Sequence, residues 1–166
     1  INNELKKILY TSNASRVAIF ELHNGKENAT NLPFRYVDMS YEVINENDKD
    51  INFVGDKFQN IPLTHYQLPY YIAKNGVFIG DTEDVRLIDS RFARIVYSIG
   101  GKYIASVILK SGGHTIGFLC LFFDKSLPLR NKEEMKVSLE KLADIVSPLL
   151  DLKVLKLEKG CYKDGK

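Results

Sequence analysis

The chain of 166 residues predicts an α+β fold: a central antiparallel sheet of about five or six strands, with the N- and C-terminal helices packed on one face. Three observations carry this. Residues 103–124, YIASVILKSGGHTIGFLCLFFD, place two apolar, β-branched and aromatic runs around a Ser111-Gly112-Gly113-His114 turn, the pattern of a β-hairpin. The second run, Ile116 to Phe123, is apolar at nearly every position except Gly117, as in a strand covered on both faces. Helical stripes stand at the two ends of the chain with strand-like runs between them, so helices are segregated around a sheet.

Asn2 and Asn3 supply capping side chains for a first helix, in which Leu5, Ile8 and Leu9 recur at spacings of three and four. The polar cluster Thr11 to Ser15 ends it. Arg16 to Leu22 (RVAIFEL) predicts a strand, apolar on both faces until Glu21, that runs into the strong turn signal His23-Asn24-Gly25. Phe34 to Ile44 alternates, with Val37, Met39, Tyr41 and Val43 on one face and Phe34, Tyr36, Asp38, Ser40 and Glu42 on the other. Asn45 to Asp50 is a charged loop, and residues 53–61 form an irregular bridge. Pro62 or Pro69 starts a short helix carrying Tyr70, Tyr71 and Ile72, which Asn75-Gly76 closes. Val77 to Gly80 predicts a brief strand ending at Asp81. Asp89 or Ser90 caps a helix with Phe92, Ile95, Val96 and Ile99 on one face, and Gly100-Gly101 stops it.

After the hairpin, Leu127 to Asn131 is a loop, and Asn131 with Glu134 three residues later marks the start of the last helix. Its stripe of Leu139, Leu142, Ile145, Val146, Leu149 and Leu150 is long and regular, and Leu152, Leu155 and Leu157 extend it. Pro148 is expected to kink or weaken it. The chain divides into one domain, residues 1–157, and a flexible basic tail, residues 158–166.

Lys and Arg (23) nearly balance Asp and Glu (21), for a net charge of +2, and the surplus lies mostly toward the C-terminus, where Lys153, Lys156, Lys159, Lys163 and Lys166 cluster. So small an excess argues against a nucleic-acid partner. Cys120 lies in the apolar strand and Cys161 in the polar tail. Neither requires a disulfide, which favours a reducing, cytoplasmic setting. No run of about 18 apolar residues is present to span a membrane. An opening Ile1 in place of Met suggests a piece of a longer protein; an anchor upstream would put the domain at the cytoplasmic face of a membrane.

Several groups offer chemistry. His23 at a strand end, beside Asn24, reads either as a ligand contact or general base near neutral pH, or as a cap on the turn through backbone bonds. Asp38, Ser40 and Glu42 recur every two residues. They suit ligand contact or paired-carboxylate work, and equally a solvated edge face. Phe34, Tyr36, Tyr66, Tyr70, Tyr71 and Tyr97 either wall a pocket for a flat ligand or fill a core. His23, His65 and His114 have no spacing that suggests a metal site. Ser111-Gly112-Gly113 joins two strands without the Lys-Ser/Thr and helix of a phosphate loop, and no G-x-S-x-G or H-E-x-x-H motif occurs.

The run from Tyr103 to Lys110, followed by Gly113-His114-Thr115-Ile116-Gly117-Phe118-Leu119, resembles the last two strands of GAF domains, where a G-x-x-I-G-x-L pattern is typical. GAF domains are α+β sensor folds related to PAS, and Leu139 to Leu150 looks like their closing helix. The resemblance spans roughly Leu5 to Leu152. The HNG turn at 23–25, with Asn28, Leu32-Pro33-Phe34 and Ser40-Tyr41-Glu42, is similar to GAF-like proteins of bacteriophages, some of which carry an amino-terminal membrane segment. The resemblance implies a small-ligand pocket between the sheet and the irregular middle segments, or a dimer through the terminal helices. His23, Asn24, Phe34, Asp38, Glu42, Tyr71 and Asp81 are the candidate ligand contacts for such a pocket. The N-K-F-D-E arrangement of cyclic-nucleotide-binding members is absent, Cys120 lies mid-strand where a bilin attachment is unconvincing, and a thiol-based reductase would need more cysteines. The expectation is therefore a non-enzymatic sensory domain without cofactor or metal. The alternative is a degenerate module that assembles through Leu5, Ile8, Leu9, Leu149, Leu152 and Leu155.

Overall fold

Helix α1 (Asn2–Ser12) opens the computed structural model, which describes residues 1–24, 36–125 and 131–161, excluding the side chains of 153–161. Ile1 is its N-cap and no side chain caps it, so Asn2 and Asn3 lie inside the first turn instead of ahead of it. Leu5, Ile8 and Leu9 are buried, as their spacing requires. Six strands follow among the described residues: β1 (Arg16–His23), β2 (Tyr36–Ile44), β3 (Ile61–Pro62), β4 (Val77–Asp81), β5 (Tyr103–Ser111) and β6 (His114–Phe123). They form one antiparallel sheet in the order β3-β2-β1-β6-β5-β4. The helices are α2 (Leu68–Asn75), α3 (Thr82–Ile88), α4 (Ser90–Ser98) and α5 (Lys132–Cys161).

Both faces of the sheet are covered, which explains why β1, β5 and β6 read as continuous apolar runs. On one face, Leu5, Ile8 and Leu9 of α1 and Leu139, Val146 and Leu150 of α5 pack on Val17, Ile19, Val107, Leu109, Leu119 and Leu121. On the other, α2, α3 and α4 bring Leu68, Ile72, Val85 and Val96 against Ala18, Phe20, Ile104, Phe118, Cys120 and Phe122. The terminal helices thus share a face, as expected.

Gly112 (φ 54°) and Gly113 (φ 80°) both take the left-handed conformation, the requirement of a two-residue turn that matches strand twist. Gly117 answers a different need. A Cβ there would stand 2.2 Å from the carbonyl oxygen of Phe20, so only glycine lets β1 and β6 approach.

The alternation predicted for β2 does not hold along its whole length. Ile19 pairs with Tyr41 but Phe20 pairs with Met39, which leaves Ser40 as the extra residue of a β-bulge. One inserted residue exchanges the faces. Tyr41 and Val43 pack toward α1 and α5, whereas Val37 and Met39 pack toward α2 and α4. Asp38 and Glu42 therefore lie on opposite faces and cannot act as a pair.

Two elements lacked an apolar signal strong enough to predict. The two-residue β3 sits in the irregular bridge. Helix α3 starts with a reciprocal cap, in which Asp81 accepts from Asp84 N–H and Asp84 accepts from Asp81 N–H. Helix α5 continues through Pro148 and reaches four positions into the stretch assigned to a tail, 158–161. Residues 162–166 and the loop Leu127 to Arg130 lie outside the described residues.

Candidate functional site

Between the sheet and the α2–α4 layer lies a cavity of about 40 Å³ with a wholly apolar wall. Phe20 of β1 with Phe118 and Cys120 of β6 form its floor, and Ile72 of α2 and Phe92 of α4 form its roof. Phe58, Ile61 and Tyr66 close the side. The volume holds a water or two, against ~300–1,000 Å³ for pockets that enclose drug-sized ligands. Water there would forfeit its hydrogen bonds, so the space suits apolar atoms. The rings take up most of the gap between the layers, and Tyr66 meets Phe92 edge to face at 6.2 Å.

Three polar arrangements hold these walls. Asp89 is buried, and one of its oxygens accepts from Gln67 N–H (2.7 Å) and Leu68 N–H (2.9 Å) while the other accepts from Phe92 N–H (2.9 Å). One carboxylate thereby caps both α2 and α4, the helices of the roof, and sits at the positive ends of both. A buried carboxylate with three N–H donors needs no cation beside it.

Arg16 and Glu42 form the second arrangement, bonded to each other across the β1–β2 pair. Glu42 also accepts from Val54 N–H and Gly55 N–H, and Arg16 donates to Asn52 O (2.9 Å). Burial lowers the Arg16 pKa from its ordinary value, and the adjacent Glu42 carboxylate opposes that shift. Glu42, a candidate ligand contact by sequence, is engaged in pinning the 52–55 segment to the sheet.

The third lies at the far end of β1. His23 Nε2 stands 3.0 Å from Asp38 Oδ1, within ion-pair reach when the imidazole is protonated, and Tyr36 stacks on the ring at 5.8 Å. Asp38 Oδ1 also accepts the N–H of Asn60, a residue in the left-handed region (φ 51°). Met39 N–H in turn donates to Phe58 O (2.8 Å). The pair thus braces the segment that presents Phe58 and Ile61 to the cavity, from outside it. Asn24 Oδ1 beside it is shielded from water and accepts no hydrogen bond from the described residues.

The structure brings His23 and Asp38 together, with Asn24 next in the chain, and leaves the other described candidates, Glu42, Tyr71 and Asp81, apart. Tyr71 is partly exposed on α2, edge-on to Phe78, and Asp81 is the exposed N-cap of α3. Phe34 lies outside the described residues. Of the aromatic-rich middle, Tyr66 lines the cavity, whereas Tyr70 and Tyr97 face water. The phenylalanines at 20, 58, 92 and 118 do what the tyrosines were expected to do. The two on strands were hidden in continuous apolar runs, and only register could have assigned them a face.

Cys120 is buried, and burial pushes its thiol up to about 12, against the opposing effect of its hydrogen bond with the Ser106 hydroxyl, 3.0 Å away. It is a core residue and not a nucleophile. Among the described residues, no cluster of three or more His, Cys, Asp or Glu could hold a metal ion, and no helix is long and apolar enough to cross a membrane.

No family model matches the sequence, and no curated protein matches it. Solved structures do match in shape. A far-red cyanobacteriochrome photoreceptor superposes with a TM-score of 0.66 at 10% identity, over 91% of this chain and 84% of that one. The GAF domain of a two-component sensor histidine kinase from Bacillus halodurans gives 0.64 at 13% identity, over 95% of this chain and 94% of that one. The phycocyanobilin-bound GAF domain of a cyanobacterial phytochrome gives 0.64 at 16% identity, covering 89% and 82%. At such identities the likeness establishes the fold alone. That fold is the GAF fold.

Proposed function

We propose that the chain is a non-catalytic, GAF-like sensory domain that takes a small apolar, ring-bearing molecule between the sheet and the α2–α4 layer. The observation that carries this reading is the wholly apolar cavity at that interface, walled by aromatic rings. A ligand of one or two rings would enter by parting Phe58, Tyr66 and Phe92. The wall at residues 55–66 consists of two short 3-10 turns and a two-residue strand, and so has few backbone bonds to break. Its displacement would pull on Asp38 through Asn60 and on Met39 through Phe58, and so on β2 and the layer of α1 beyond. Such a ligand shifts the domain only as far as its affinities for the two arrangements differ. A bilin like that of the phytochrome relative would not fit the space.

Thermal denaturation in the presence of indole, benzene, purines and amino acids tests the reading. A ligand at ten times its Kd contributes about 1.4 kcal/mol, which for a chain of this size raises Tm by roughly 3–6 °C. Stabilisation by indole or benzene and none by the polar compounds supports it; no shift with any compound sinks it.

A second reading, assembly through the terminal helices, is favoured by a specific observation. Ile145 and Leu152 of α5 are 51% and 52% exposed, and an open groove between α1 and α5 reaches the sheet at Ala105, Leu121 and Phe123. Leu5, Ile8 and Leu9 are buried against the sheet, so α1 would contribute its other side. Light scattering of wild type and of Ile145→Glu with Leu152→Glu separates the readings. A cytoplasmic setting, a bacteriophage source and an upstream membrane segment extend the first reading and rest on the sequence alone.

A further inference from the structure

The two edges of the sheet are built differently. β3 is two residues long and ends in Pro62, which has no N–H to offer a neighbour. β4 is not blunted in this way. At one end of the β4–β5 ladder Ile108 N–H donates to Gly76 O (2.9 Å), and at the other Thr82 N–H donates to Lys102 O (3.2 Å). Both bonds fall in the same phase of the register, so Phe78 and Gly80 between them also point their backbone groups at β5. Val77 and Ile79 then turn N–H and C=O outward. Among the described residues no bond from outside the ladder meets them.

Beyond this edge lies a groove of about 390 Å³. Tyr71 of α2 and Leu87 of α3 line it from one layer, and Lys132 and Lys136 of α5 from the other. Leu87 is 87% exposed, so it contributes little to the core and stands available at the groove. The two lysines are one turn apart at the positive end of a long helix. Of the two carboxylates in the groove, Asp84 is turned back onto Asp81 N–H, and Glu133 shares the first turn of α5 with Lys132.

We propose that the edge of β4 is a strand-addition site for an extended peptide of a partner protein. The peptide pairs its main chain with Val77 and Ile79, sets an apolar side chain against Leu87 and Tyr71, and directs a carboxylate to Lys132 and Lys136. An extended peptide is the occupant because only a β backbone offers alternating N–H and C=O at the spacing of every second strand residue, ~6.8 Å. The carboxylate follows from the lysines and the helix end. The site is independent of the cavity.

Selection of short displayed peptides against the whole chain, followed by affinity and amide-exchange measurements on the enriched peptides, tests the proposal. The expected peptides combine an apolar with an acidic residue and slow the exchange of the Val77 and Ile79 amides. Ile79→Pro removes an N–H that β5 does not use, and is expected to weaken binding at least about tenfold. Leu87→Lys, outside the core, is expected to do the same and serves if the proline variant fails to fold. Lys132→Glu with Lys136→Glu is expected to reject the acidic peptides. Three outcomes overturn the proposal: no peptide enriched over an unrelated protein, enriched peptides that bind wild type and Leu87→Lys alike, or protection of Val77 and Ile79 that rises with protein concentration alone. The last would make a second copy the occupant.

Discussion

Arg16 and Glu42 meet across the β1–β2 pair with side chains only 3% and 7% exposed, and between them they hold the backbone of Asn52, Val54 and Gly55. Removing one partner leaves the other charged and withdrawn from water. Glu42→Ala is therefore expected to cost about 3–5 kcal/mol in urea denaturation. Replacing both by Met and Leu is expected to cost much less, because no uncompensated charge remains. Fast amide exchange at Val54 and Gly55 in Glu42→Ala would confirm that the segment has been released. A loss below about 1 kcal/mol would mean that the pair behaves as a surface pair.

Asp89 offers a sharper case, since one carboxylate caps two helices. Asp89→Ala orphans the N–H groups of Gln67, Leu68 and Phe92, and the expected loss is about 2–4 kcal/mol, above the ~1 kcal/mol of a single cap. Asp89→Asn keeps one acceptor oxygen and is expected to fall between. Equal stability of the Asn variant and wild type would contradict the double cap.

The Cys120 thiol titrates late, so stability is expected to fall in alkali. Its pKa in the fold is raised from an ordinary 9.0 to about 12 by burial. Between those values the unfolded chain loses a proton that the folded chain keeps, and stability falls as pH rises. The slope approaches about 1.4 kcal/mol per pH unit. Comparing wild type with Cys120→Ala across pH 8–11 isolates the effect, which is expected to vanish in the variant. A thiol reagent at pH 8 is expected to label Cys120 only in denaturant.

Truncating a ring at the cavity predicts a loss and a gain together. Phe58→Ala or Phe92→Ala removes packing from a half-buried ring, at a cost below the ~3–5 kcal/mol of a fully buried one. It also leaves room that benzene can fill, so added benzene is expected to restore part of the lost Tm. No recovery would mean that the walls collapse into the vacated space.

Much of the fold was legible because the sheet is buried on both faces. Continuous apolar runs and the Gly112-Gly113 turn announced β5 and β6, and the 3.6-residue stripes announced α1, α4 and α5. The candidate site was less legible, for one physical reason. Strict alternation puts one set of β2 side chains on each face, and the bulge at Ser40 reverses that alternation without any mark in composition. Alternation alone joins Asp38 and Glu42 on one face, and the sheet separates them. His23 and Asp38 come together only through strand pairing, which local sequence does not encode. Helix α3 carried a readable signal in Asp81 and Asp84, a reciprocal cap outside the usual Ser/Thr and Glu pattern.

Methyl NMR during an indole titration tests the sensory reading most directly. Saturable shifts are expected at the Val37, Ile72 and Ile95 methyls, which line the cavity, with Leu5, Ile8 and Leu9 on the other face moving less. Shifts confined to Ile145 and Leu142 in the groove between α1 and α5, or none up to the solubility of indole, would contradict it.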